Sequence, residues 1–161
     1  MHSMSEIFTT HSADETRTLG KRLAEQMPPR TCLCLSGDLG SGKTTFAQGL
    51  LEGFGATRPY TSPTFVIMKQ YDLPASDPKQ AALQTDSSVL TEKGIRRIYH
   101  ADAYRVAAHD FETLGFAEWC ADPNGIVILE WPERVEQIIP KNVIMISFTA
   151  KNENEREITI G

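Results

Sequence analysis

The chain has 161 residues, 40% of them hydrophobic and 8% aromatic, with a net charge of −5 at pH 7. That length suits a single domain over residues 1–161 with one sizeable core. The acidic balance argues against a protein that grips nucleic acid by itself, since such binding rests on neutralising phosphates, and no apolar run reaches the roughly 18 residues that cross a bilayer.

The opening MHSMSEIFTT has no basic start and no long apolar stretch, so no secretory signal is expected. Residues 12–27 read as a helix. Ser12 caps it, Glu15 completes a capping box, and Leu19, Leu23 and Met27 form one apolar stripe. Pro28 and Pro29 end it. Thr31 to Leu35 follow as a short buried strand that carries Cys32 and Cys34. C-x-C without a second cluster is a weak metal signal. With Cys120 the three cysteines are expected to be structural thiols in a reducing cytosol, which places the protein in the cytoplasm.

Next comes GDLGSGKT, residues 37–44, which fits G-x-x-x-x-G-K-[ST]. Gly37, Asp38, Leu39, Gly40, Ser41 and Gly42 form the loop. Its glycines let the backbone wrap closely round phosphate oxygens and present N–H groups at a helix start. Lys43 sets a cation against the β- and γ-phosphates, Thr44 offers a hydroxyl to Mg²⁺, and Thr45 reaches the α-phosphate. Phe46, Ala47, Leu50, Leu51 and Phe54 then recur at helical spacing until Gly55. A strand before the loop and a helix after it separate this reading from a chance Gly-rich turn.

A turn at Pro63 leads into a strand over about 65–71. Residues 73–94 are polar and read as an exposed connection or a partly disordered insertion. A second strand over about 95–102 is placed antiparallel to the first. A short helix is expected from about Asp110, and Ile126 to Leu129 form a buried strand. A helix begun by Pro132 follows, and the chain closes with two strands joined by KNENE. Helices alternating with apolar strands indicate a layered α/β fold, and the later hairpins indicate a mixed sheet.

Phosphate-loop enzymes usually carry an apolar strand that ends in Asp as a second magnesium position. No strand reads that way here, and the best match is Glu130 at the end of GIVILE. Its other reading is a charge where a strand emerges into solvent. His100, Asp102 and Tyr104 alternate, hence share a face if extended. Asp102 suits orienting an attacking water or holding a magnesium-bound water, and the other reading is an ordinary polar strand face. Thr61, Ser62 and Thr64 surround Pro63, where a loop can sense a γ-phosphate.

SGDLGSGKTTF, TSPTF, YHADAYR and ILEWPER occur in this order, and together they resemble the TsaE (YjeE) family. The resemblance runs from about Ser12 to Phe148. It implies a three-layer P-loop NTPase fold with a mixed parallel and antiparallel sheet, and an ATP/ADP- and Mg²⁺-dependent ATPase. It further implies that the ATPase supports a TsaD–TsaB heterodimer in making threonylcarbamoyladenosine in tRNA, with tRNA touched only indirectly. Carried over by motif, Lys43, Asp102 and Glu130 are catalytic, and Thr44 and Glu130 hold the metal. Ser62, Pro63 and Thr64 form a switch-like loop, Trp131 lies beside the nucleotide, and Thr10 and His11 edge the base. Ala101 and Ala103 stand where the family often has larger apolar residues.

Two other functions fit the loop: a small-molecule kinase, and a non-catalytic module gated by ATP. A kinase needs an Arg-bearing lid. Arg96, Arg97 and Arg105 are candidates, and none sits in an obvious lid. The same lack of an evident arginine finger predicts slow turnover for the isolated chain.

Overall fold

The structure, a computed structural model, describes residues 4–63, 66–73 and 93–161. In chain order these contain β1 (Glu6–Thr10), α1 (Ala13–Ala24), β2 (Thr31–Ser36), α2 (Lys43–Gly53), β3 (Met68–Asp72), β4 (Arg97–Asp102), α3 (Ala108–Leu114), α4 (Phe116–Ala121), β5 (Gly125–Glu130), β6 (Ile144–Ala150) and β7 (Arg156–Ile160). The strands form one sheet in the order β1-β7-β6-β2-β5-β4-β3. Its centre, β6-β2-β5-β4, is parallel. Both flanks are antiparallel: β3 on β4 at one side, β7 and β1 on β6 at the other.

Strand alternation sorts the side chains into two cores. Leu33, Leu35, Ile126 and Ile128 pack with Phe46, Leu50 and Leu51 of α2. Cys32, Cys34, Val127 and Leu129 face the other way, onto Phe111, Phe116 and Trp119 of α3 and α4. The result is the expected three-layer α/β architecture with a mixed sheet. Cys32 and Cys34 are buried and free, and Cys120 is half-buried. Ala101 and Ala103 are fully buried in the second core.

The α1 cap forms nearly as the sequence suggests. Ser12 Oγ accepts from the Glu15 amide at 3.1 Å, and the Glu15 carboxylate accepts from the His11 amide at 2.7 Å, one residue earlier than in a standard capping box. Helices α1 and α2 then meet backbone to backbone. A Cβ on Gly20 would lie 2.4 Å from Phe46 O, one on Gly49 2.0 Å from Arg17 O, and one on Gly53 2.5 Å from Lys21 O. Glycine is the one residue that admits so close a crossing.

Several expectations need correction. Residues 6–10 form a strand that their pattern did not suggest, because Ile7 and Phe8 sit among polar neighbours and the strand is an edge paired only with β7. The strand expected over 65–71 starts at Met68, after a turn in which Ile67 takes φ 67°. The helix near Asp110 is two helices, broken at Gly115, which adopts φ 96°. No helix starts at Pro132. The chain there makes two short 3₁₀ turns, Pro132–Arg134 and Glu136–Ile138, because Trp131 is left-handed at φ 61° and Pro140 follows too soon. A strand does end in Asp: β4 is wholly buried from Ile98 onward and finishes at Asp102, beside β5. Of the polar segment 73–94, residues 74–92 lie outside the described residues. No helix among those described is long and apolar enough to cross a membrane.

Candidate functional site

Parallel strands deliver their C-terminal ends to one edge, where ligands of open α/β sheets bind. Here β2 runs into the Gly-rich loop, β4 ends at Asp102 and β5 ends at Glu130. The two acidic residues are Cα partners across adjacent strands, so their side chains leave the sheet on the same face. That face also carries Ile98 and Ile126, which pack towards α1 and α2.

The loop is tightly determined. A Cβ on Gly37 would come within 2.7 Å of Phe148 O and of Ser41 Oγ. Gly42 caps α2 in a left-handed conformation at φ 107°, and nothing crowds Gly40 within 4 Å on its open side. Lys43 folds back over this loop. Its Nζ donates to Gly37 O and, at 2.8 Å, to Asp38 O, and lies 4.1 Å from the centroid of the Trp131 ring. Burial lowers its pKa, opposed by the negative charges of Glu130, Glu133, Asp102 and Asp38. Trp131 in turn lies 4.8 Å from the Tyr104 ring, centroid to centroid.

Thr44 Oγ1 donates to Glu130 Oε2 at 3.3 Å. The other carboxylate oxygen, Oε1, accepts from His100 Nε2 at 2.8 Å, with both side chains almost fully buried. Asp102 Oδ1 accepts from the Tyr104 amide at 2.8 Å, a local turn that fixes the carboxylate after its strand.

These groups open onto a cavity of about 570 Å³. Its lining joins Lys43, Thr44, Asp102, Glu130 and Trp131 with Ser12, Thr16, Asn154 and Arg156. Arg156 reaches over from the start of β7 and donates from Nη2 to Gly40 O at 3.1 Å.

A Gly-rich loop and two strand-end carboxylates thus share one cavity. The family model "Threonylcarbamoyl adenosine biosynthesis protein TsaE" matches residues 10–158. The chain belongs to the TsaE family. It is 34% identical over 152 residues to the "tRNA threonylcarbamoyladenosine biosynthesis protein TsaE" of Bacillus subtilis, covering 94% of this chain and 82% of that one. The same-named protein of Synechocystis is 34% identical over 141 residues, or 86% and 77% of the two chains. The crystal structure of Bacillus subtilis YdiB superposes with a TM-score of 0.73 at 30% identity, over 99% of this chain and 87% of the other.

In this TsaE-family chain, most of the residues singled out in the sequence converge. Leu39, Gly40, Gly42, Lys43, Thr44, Thr45, Asp102, Glu130 and Trp131 all line the cavity. Gly37, Asp38 and Ser41 do not line it; all three accept hydrogen bonds from Lys43 Nζ, the last at 3.5 Å through Oγ. Thr10 is buried, with its hydroxyl 2.7 Å from that of Thr16, and it lines a separate groove between β1 and α1. His11 is exposed, 3.6 Å from Glu155, and it is the next two residues, Ser12 and Ala13, that reach the cavity. Ser62 and Pro63 do not line it, and Thr64 lies outside the described residues. Arg105 does line it, whereas Arg97 pairs with Asp122 at the far end of the sheet.

Arg156 and Asn154 were missed. They belong to a polar turn between two strands, and no local motif marks them. Only the β6–β7 hairpin folding back beside the loop brings them to the site.

Proposed function

We propose that the chain binds ATP with Mg²⁺ and hydrolyses it, in support of a TsaD–TsaB pair that makes threonylcarbamoyladenosine in tRNA. The observation that carries this reading is the 3.3 Å approach of Thr44 Oγ1 to Glu130 Oε2 at the mouth of the phosphate loop. With the Asp102 carboxylate beside them, these are hard oxygen donors of the kind Mg²⁺ takes. A softer or larger metal would want sulfur, imidazole or more oxygens.

In this reading the triphosphate lies along the loop, its α-phosphate near Thr45 and its γ-phosphate towards Glu130 and Asp102. The backbone N–H groups at the start of α2 take the phosphate oxygens, aided by the positive end of the helix. Lys43 leaves the carbonyls of Gly37 and Asp38 and turns its three N–H groups to the β- and γ-oxygens. The metal, once bound, neutralises charge that builds on those oxygens during transfer. Asp102, fixed by the Tyr104 amide, accepts a proton from the attacking water and holds it in line. The nucleoside extends towards Ser12, Thr16 and Asn154.

Of the two arginines that line the cavity, Arg105 and Arg156, the second has its guanidinium on the carbonyls of Gly40, Asn152, Glu153 and Glu155. In this reading turnover by the chain alone is slow, and the partner pair accelerates it. The net charge of −5 agrees with tRNA contact falling to those partners.

The test follows the γ-phosphate of labelled ATP. Release to water, stimulated by the TsaD–TsaB pair and reduced about 100-fold in Glu130→Ala, is the expected result. Transfer to a metabolite would make the protein a kinase. No release with any partner would leave it an ATP-gated binding module.

A further inference from the structure

The proposed nucleotide site uses Lys43, Thr44, Asp102 and Glu130, and gives no role to the buried polar side chain that contacts one of them, His100. His100 sits on β4, two residues before Asp102, and is 1% exposed. Its Cα partner on β5 is Ile128, so Glu130 is its diagonal neighbour one step towards the cavity. Nε2 spans that diagonal and meets Glu130 Oε1 at 2.8 Å. A carboxylate accepts and does not donate, so Nε2 carries the hydrogen. Nδ1 is buried with no hydrogen-bond partner among the described residues.

Burying an imidazole with one ring nitrogen unpaired is unfavourable, and an apolar side chain fits this layer as Ile98 does one pair earlier on the same strand. Core packing therefore does not account for His100. Its single bond does something specific to Glu130. A carboxylate at a strand end can rotate about its own side-chain bonds. With Oε1 tied to the imidazole below, the group has one orientation left, and in it Oε2 faces Thr44 Oγ1 at 3.3 Å. Each oxygen of Glu130 thus has its own anchor, one buried and one on the cavity.

We propose that His100 is a positioning residue for the divalent cation that accompanies the nucleotide. It presents Glu130 with one oxygen tied and the other aimed at the site. It touches neither nucleotide nor metal. The proposal rests on the reading of Glu130 as a metal ligand, and adds the residue that orients it.

The role is read out through binding in the absence of turnover. The affinity of the purified chain for ADP is measured by calorimetry in excess EDTA and across a Mg²⁺ titration, together with the thermal midpoint of each variant. Hydrogen bonds to a metal-bound carboxylate typically change metal affinity 10- to 100-fold. His100→Leu, which fills the space without a donor, should raise the Mg²⁺ concentration for half-maximal enhancement of ADP binding about 10-fold or more. ADP affinity in EDTA should stay within about twofold, since the loop amides and Lys43 are untouched. His100→Gln, whose amide N–H can reach Glu130, should recover most of the Mg²⁺ response. If His100→Leu does not fold, His100→Asn, polar but too short to reach, takes its place. In a Glu130→Ala background the His100 substitution should add nothing further.

A wild-type Mg²⁺ response in the Leu or Asn variant would overturn the proposal. So would an equal loss of affinity in EDTA, which would mean damage to packing alone, or a Gln variant no better than Leu. If instead Glu130→Ala itself responds to Mg²⁺ as the wild type does, the metal reading of Glu130 fails first, and the role of His100 falls with it.

Discussion

Strands β4 and β5 carry a polar cluster at each end. At the N-terminal end, Asp122 accepts from Arg97 Nε at 2.7 Å and Nη2 at 3.1 Å, from the Tyr99 hydroxyl at 2.8 Å, and from the Asn124 amide at 3.0 Å. At the C-terminal end, Glu130 has one donor on each oxygen among the described residues, and the His100 that supplies one of them has no partner there for its other nitrogen. A carboxylate has about four lone-pair sites. Asp122 has filled them with protein, and so ties β4 to the turn before β5. Glu130 holds sites in reserve beside a cavity, which is where binding a further group costs least. In one pair of strands, saturation marks the end tied within the fold and incompleteness the end that opens on the cavity.

Substitutions at the two ends should therefore divide cleanly. Lys43→Ala strikes the cavity end hardest. Loss of charge-assisted hydrogen bonds to phosphate should weaken ADP binding roughly 100-fold, about 2.7 kcal/mol. Because Lys43 also donates to Gly37 O and Asp38 O, urea unfolding without nucleotide should shift by about 1 kcal/mol, well short of the binding loss. Calorimetric titration and a denaturation curve check both halves, and a large stability loss would blur the distinction. Asp122→Ala should do the reverse. It leaves the buried Tyr99 hydroxyl without its acceptor and should destabilise the fold by about 2 kcal/mol, with ADP affinity unchanged.

A smaller effect should appear with pH. The Arg97 guanidinium bonded to Asp122 holds its carboxyl well below the usual range. A depressed folded pKa contributes stability above the unfolded value of about 4, and that contribution fades as pH falls through the folded value. The difference in thermal midpoint between wild type and Asp122→Asn should thus be full at neutral pH and narrow steadily below about pH 4. A difference that widens in acid would reverse the assignment.

What could be read from the sequence was whatever depends on neighbours along the chain. The strand, loop and helix around residues 31–54 follow from apolar spacing and glycine placement, and the α1 cap from Ser12 and Glu15. Glu130 was legible as a strand-end acid and Asp102 as one polar residue of an alternating strand face, while the fact that Asp102 ends a buried strand was not. What depends on register across strands was hidden. The diagonal from His100 to Glu130 exists only once β4 and β5 are aligned, and Arg156 reaches Gly40 only through the β6–β7 hairpin. The helix expected at Pro132 failed for a local reason that composition does not show, namely the left-handed backbone of Trp131.

The three glycines at the crossing of α1 and α2 have a mechanical consequence. Where main chain rests directly on main chain, no flexible side chain remains to yield. The helix into which the Gly-rich loop leads, α2, and the helix that lines the cavity through Ala13 and Thr16, α1, therefore form one stiff unit beneath the site.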